Sequence, residues 1–146
     1  MARRQLSPEV CKELQAVATH LRKERGTVLF REGKACRGAF LIRSGQVRLT
    51  LEAAARSYPA RTVGSGFVIG LPATLSGEPY SLTAEVKTSC RLDFIPRRKL
   101  LSLLSRSPEA GFQIVRLLSE EIFVIRNAAK RRLGKSAISS GSKQAQ

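Results

Sequence analysis

The segment GFVIGLPATLSGEPYSLTAE, residues 66–85, holds the side chains best placed to grip a small anion. Gly70 lets the backbone come close to a ligand, because it carries no Cβ. The glycines frame the stretch, and a strand-like run follows. Yet the two positions that invite a charge hold Leu71 and Tyr80.

Other chemistries have less material. Glu78, Glu85 and Asp93 do not form a paired-carboxylate pattern, no hydroxyl or thiol has a neighbouring His base, and neither a P-loop nor a metal motif occurs. His20, the single histidine, reads as a surface or helix-end residue. Cys11, Cys36 and Cys90 are odd in number and lack a C-x-x-C pair, so they read as buried free thiols in a reducing cytoplasm. The expectation is a protein that is not an enzyme and holds no metal.

The chain has 146 residues, enough for one domain. No run of 18 apolar residues occurs, so no membrane span is expected, and the start lacks the apolar region of an export signal. Its 26 Lys and Arg against 11 Asp and Glu give a formal charge of +15, which invites nucleic acid, an anionic membrane surface or an acidic protein partner.

The elements that must position the site follow from periodicity. Ser7 as N-cap, Pro8 and Glu9 open a helix whose apolar face would carry Val10, Leu14, Val17 and Leu21, with Gly26 as its stop. TVLF, GAFLIR, QVRLTL, YPARTV, YSLTAEV and CRLDFI are then short β-rich runs parted by turn signals, with Gly45 expected in a tight hairpin turn. RRKLLSLLSRS reads as a short helix, and Pro108 opens a longer one to about Leu133. Val115, Leu118, Ile122, Ile125 and Ala129 recur at the 3, 4, 3, 4 spacing of a helix seam.

The order of GTVLFREG, CRGAFLIRSGQVRL, GSGFVIG, PYSLTAEVKTSC and FIPRRKLLSLLSRSPE resembles the cyclic-nucleotide-binding sensor domain of the CRP/FNR regulators, from about Thr27 to Leu133. The resemblance implies a mainly β fold with flanking helices: an antiparallel β-roll of the double-stranded β-helix or jelly-roll type, an N-terminal helix and a long C-terminal dimerisation helix at about 108–133. Residues 1–133 would form the domain, and 134–146 a disordered polar tail. In nucleotide-binding relatives a short helix after the glycine turns its unsatisfied N–H groups toward the cyclic phosphate, a Glu after the glycine holds the ribose, and an Arg followed by Ser or Thr pairs the phosphate. Pro72 would sit in the first turn of that helix. By that likeness Gly70, Leu71, Tyr80, Ser81 and Leu82 form the phosphate cassette, and Leu71 and Tyr80 stand at the Glu and Arg positions. The purine-side positions, hydroxyl residues in the family, fall at Ile125 and Arg126.

The function so implied is a non-catalytic effector-sensing module, homodimeric through the seam, with weak or altered ligand specificity. No cofactor is fixed; a cyclic nucleotide or another small anionic effector is the ligand class. CRP/FNR regulators continue into a winged helix-turn-helix, whereas this sequence ends in GKSAISSGSKQAQ. The competing reading is a basic scaffold for nucleic acid or an acidic protein. It draws on Arg126, Lys130, Arg131, Arg132, Lys135 and Lys143, and on Arg97, Arg98 and Lys99.

Overall fold

Helix α1 (Pro8–Ala16) starts on the expected cap: Ser7 is extended and its Oγ accepts from the N–H of Val10 at 3.2 Å. It is the first element of a computed structural model that describes residues 6–54 and 59–118. The helix stops well short of Gly26. Leu21, which fits the helical stripe, lies instead in β1 (Thr19–Lys23), opposite Leu92. One apolar residue satisfies either period, and the pairing available to β1 decides between them.

The sheet contains β1, β2 (Val28–Phe30), β3 (Gly38–Thr50), β4 (Arg61–Val63), β5 (Val68–Ile69) and β6 (Thr83–Pro96). Every pairing is antiparallel: the order is β1-β6-β3-β4, with β2 on β6 and β5 on β3. Helices α2 (Leu71–Ser76) and α3 (Arg97–Arg106) follow β5 and β6, and residues 108–118 are helical, here α4. This is the mainly antiparallel β-roll with flanking helices that the sequence implies.

Two expected pairs of short strands are fused. GAFLIR and QVRLTL are one strand, β3, and YSLTAEV and CRLDFI meet in β6. Gly45 therefore makes no hairpin turn. It sits at φ +89° where the β3–β6 register shifts between Ser44↔Arg91 and Gln46↔Thr88. A bulge and a turn ask for the same backbone freedom, so the glycine alone could not tell them apart. A Cβ at Gly45 would lie 2.2 Å from the carbonyl oxygen of Ser89.

Alternation along β3 and β6 divides the interior in two. Phe40, Ile42, Val47, Leu49, Cys90 and Leu92 face the roll interior with Phe30 and Tyr80. Ala39, Leu41 and Ile95 face the helices, against Leu6, Val10, Leu14, Leu71, Leu100, Leu103, Ala110 and Ile114. Successive strand residues point to opposite faces, so one strand pair serves both cores. The N–H of Ser7 donates to Gln113 Oε1 at 2.8 Å, and Gln113 Nε2 donates to Ser7 Oγ at 3.1 Å, tying α1 to α4.

On α4, Leu118 packs with Leu117 and Ile114 on the helix-side core, while Val115 is 54% and Phe112 62% exposed. Ile122, Ile125, Arg126 and Ala129, the basic residues from Arg126 onward and the 134–146 tail lie outside the described residues. Among the described residues, no helix is long and apolar enough to cross a membrane.

Candidate functional site

Gly70 ends β5 and begins α2 with φ +81°, and a Cβ there would come within 3.1 Å of the Tyr80 ring. Left-handed geometry and close approach both demand glycine at this position. Thr74 locks the short helix by donating its hydroxyl to the Gly70 carbonyl at 2.7 Å. Pro72 stands in the first turn, as its missing N–H predicts.

Tyr80 is held on all sides. Its ring stacks on Phe30 with centroids 4.0 Å apart and planes at 11°. Its hydroxyl donates to the Gly38 carbonyl at 2.6 Å and accepts from the N–H groups of Arg37 and Gly38, each at 3.3 Å. Its own N–H donates to the Lys34 carbonyl at 2.9 Å, and its carbonyl accepts from Gly33 at 2.8 Å. Burial, above all, pushes the phenol pKa up; the Cys36 side chain adds to this, and the backbone bonds to Gly38 and Arg37 oppose it.

Gly70, Tyr80, Ser81 and Leu82 are thereby brought together around a cavity that also touches Phe30, Leu49, Pro72 and Ala73. Its volume is about 10 Å³, close to the roughly 10–15 Å³ that a single water needs. Leu71 is not part of it: the side chain is fully buried in the helix-side core. Pro72, its neighbour, faces the cavity instead. In a helix consecutive residues point about 100° apart, so adjacent positions in this turn serve different cores.

A wider groove lies beyond the same ring pair. It has a volume of about 380 Å³ and shares Phe30 and Tyr80 with the small cavity. Leu21, Val28, Leu29, Phe40 and Phe94 extend its apolar lining, and Lys23, Arg31, Lys34 and Arg37 also line it.

His20 has a partner that sequence distance concealed. Its Nδ1 lies 2.5 Å from Oδ1 of Asp93 on β6, and Arg43 Nη1 lies 3.4 Å from Oδ2 of the same carboxylate. Asp93 is buried while His20 remains largely exposed, so His20 is a surface residue with a structural tie. The Thr19↔Phe94 and Leu21↔Leu92 pairing creates that contact. Arg97 likewise has an internal role, donating Nε to the Thr74 carbonyl at 2.8 Å and so binding α3 to α2.

The three cysteines are free; Cys90 is buried and Cys11 and Cys36 are half-buried. Burial raises the thiol pKa of Cys11 and of Cys90. Among the described residues, no cluster of His, Cys, Asp or Glu could hold a metal ion.

Residues 20–107 match the model of the cyclic nucleotide-binding domain. The fold is similar to that of the catabolite activator protein of Thermus thermophilus, with TM-score 0.70 and 23% identity, over 90% of this chain and 61% of that one. It is also similar to CLP of Xanthomonas campestris, a c-di-GMP responsive global regulator, with TM-score 0.69 and 18% identity, over 85% and 62%. Sodium/hydrogen exchanger 7 of Arabidopsis thaliana is 29% identical over 126 residues; the match spans 81% of this chain and 11% of the exchanger.

Proposed function

The chain belongs to the cyclic nucleotide-binding domain family, and from that premise we propose a non-catalytic, effector-sensing regulatory module whose cassette has exchanged a charged grip for a packed tyrosine. The carrying observation is the position of Tyr80, stacked on Phe30 and bonded to Gly38. A cyclic phosphate does not fit the residues present. Every described side chain around the small cavity is uncharged, and the one hydroxyl proton that Tyr80 could offer is spent on the Gly38 carbonyl. The volume left is far below the roughly 300–1,000 Å³ of ordinary ligand pockets.

Loss of an arginine–phosphate pair removes about 1.5–3 kcal/mol, and an unpaired ribose hydroxyl costs about 1–3 kcal/mol more. Cyclic AMP therefore binds weakly, with Kd above roughly 10 μM. Calorimetric titration of the full chain with cyclic AMP and cyclic GMP tests this. Nanomolar affinity for either would overturn the reading.

The output is read through the long helix. Phe112 and Val115, one turn apart on its exposed side, support a homodimer along this helix. The match to a small part of a sodium/hydrogen exchanger supports a module that reports to larger machinery. Three free thiols favour a cytoplasmic setting. A net charge of +15 favours a second reading, a scaffold that holds nucleic acid or an acidic protein. Salt-sensitive DNA retardation without any small effector would select it.

A further inference from the structure

We propose that the groove beyond the Phe30–Tyr80 pair binds a small aromatic carboxylate. The groove has an apolar floor and a cationic rim, and no acidic residue appears among its described lining residues. On the floor, Phe30 stacks on Tyr80, and Phe40 lies 6.1 Å from Phe30 and 5.0 Å from Phe94. Phe30, Tyr80 and Phe40 are themselves buried and form an aromatic backing whose exposed edges can meet a flat ring in tilted contact. Val28, 37% exposed, and the half-buried Leu21, Leu29 and Phe94 leave apolar surface there.

On the rim, Arg31 is partly engaged, with Nη1 3.8 Å from Glu52 Oε2. Lys23, Lys34 and Arg37 have no carboxylate within ion-pair distance among the described residues. Apolar surface beside unmatched positive charge is complementary to an apolar anion and penalises a cation of the same shape. The volume of about 380 Å³ lies within the range of ordinary small-molecule sites, roughly 300–1,000 Å³. It admits a fused two-ring body with one carboxylate.

This site is separate from the cassette, although Phe30 and Tyr80 line both. The two readings therefore fail separately. Titration with cyclic nucleotide reports on the cassette, and titration with a ring carboxylate reports on the groove.

The probe is 2-naphthoate, added to the full chain at fixed ionic strength and followed by calorimetry, with 2-naphthol and 2-naphthylmethylammonium as neutral and cationic analogues. Saturable one-to-one binding of the naphthoate is expected, at least tenfold tighter than either analogue. Lys34→Gln with Arg37→Gln should weaken it at least tenfold. Val28→Asp, a change at an exposed apolar position of the lining, should abolish it in a protein that still melts cooperatively. Arg98→Gln with Lys99→Gln removes the same charge on α3, away from the groove, and should leave affinity within twofold. Absence of saturable binding, equal binding of the three analogues, or equal loss in the α3 variant would each overturn the proposal.

Discussion

Tyr80 Oη donates a 2.6 Å hydrogen bond to the carbonyl oxygen of Gly38, a residue 42 positions earlier. The bond ties the segment after α2 to the first residue of β3. Because the same oxygen accepts from two backbone N–H groups, one side chain satisfies three buried or half-buried polar groups.

Removing only that oxygen should have a measurable cost. Tyr80→Phe keeps the stack on Phe30 and leaves the Gly38 carbonyl only the weak Cys36 thiol as donor, for a loss of about 1–2 kcal/mol in urea unfolding. Tyr80→Ala also empties the site and should lose about 3–5 kcal/mol. A Phe variant as stable as the parent would show that the hydroxyl contributes nothing.

The same residue predicts an alkaline limit. Its phenol pKa is raised above the ordinary value of 10.0, chiefly by burial. The folded state thus holds its proton more tightly than the unfolded chain. The stabilisation is complete below about pH 10 and is lost as pH rises through the folded pKa. Stability measured from pH 8 upward should fall more steeply in the parent than in Tyr80→Phe; parallel curves would contradict this.

Position 71 separates sequence likeness from geometry. Leu71→Glu places a carboxylate in the helix-side core, in one apolar cluster with Leu100 and Ile114. It should cost several kcal/mol, or abolish folding, without improving cyclic AMP binding. Tyr80→Arg removes the packed ring and supplies a cation, and in folded protein it should improve that affinity about tenfold or more. A stable Leu71→Glu protein with gained affinity would return residue 71 to the cassette.

Gly45→Ala tests the bulge. Left-handed backbone costs about 1–2 kcal/mol and the contact with the Ser89 carbonyl a further 1–3, so the loss should be about 2–5 kcal/mol. Thermal unfolding within a degree of the parent would mean that β3 can shift its register freely.

Helix α4 offers a contrast between adjacent positions. Val115→Asp alters an exposed residue and should convert a dimer to a folded monomer in sedimentation. Ile114→Asp, at a fully buried site, should unfold the chain whatever its assembly. A dimer that persists in Val115→Asp would remove this face from the interface.

The cap of α1 and the β character of the middle were legible because they depend on local rules: Ser7 before Pro8, and apolar alternation between turn residues. The register was less so. Gly45 marks a positive φ but not which strand runs past it, and Leu21 fits two periods at once. His20 and Asp93 are 73 residues apart, and only the β1–β6 pairing joins them. Gly70, Tyr80 and Ser81 line one cavity in the structure, and family likeness could not give the rotation of α2 that sends Leu71 to the opposite side. Nor could it foresee that Tyr80 would stack on Phe30 and bond to the Gly38 carbonyl.

The Ser7–Gln113 tie joins segments 106 residues apart, and this has a consequence for synthesis on the ribosome. Val10 and Leu14 emerge well before their cover at Ile95, Leu100, Ala110 and Ile114 is made. Roughly a hundred further residues at about 5–20 per second leave that apolar stripe bare for about 5–20 s. Protease should therefore cut α1 in stalled nascent chains until α4 has left the exit tunnel, and a chaperone that holds amphipathic helices would find its target in that interval.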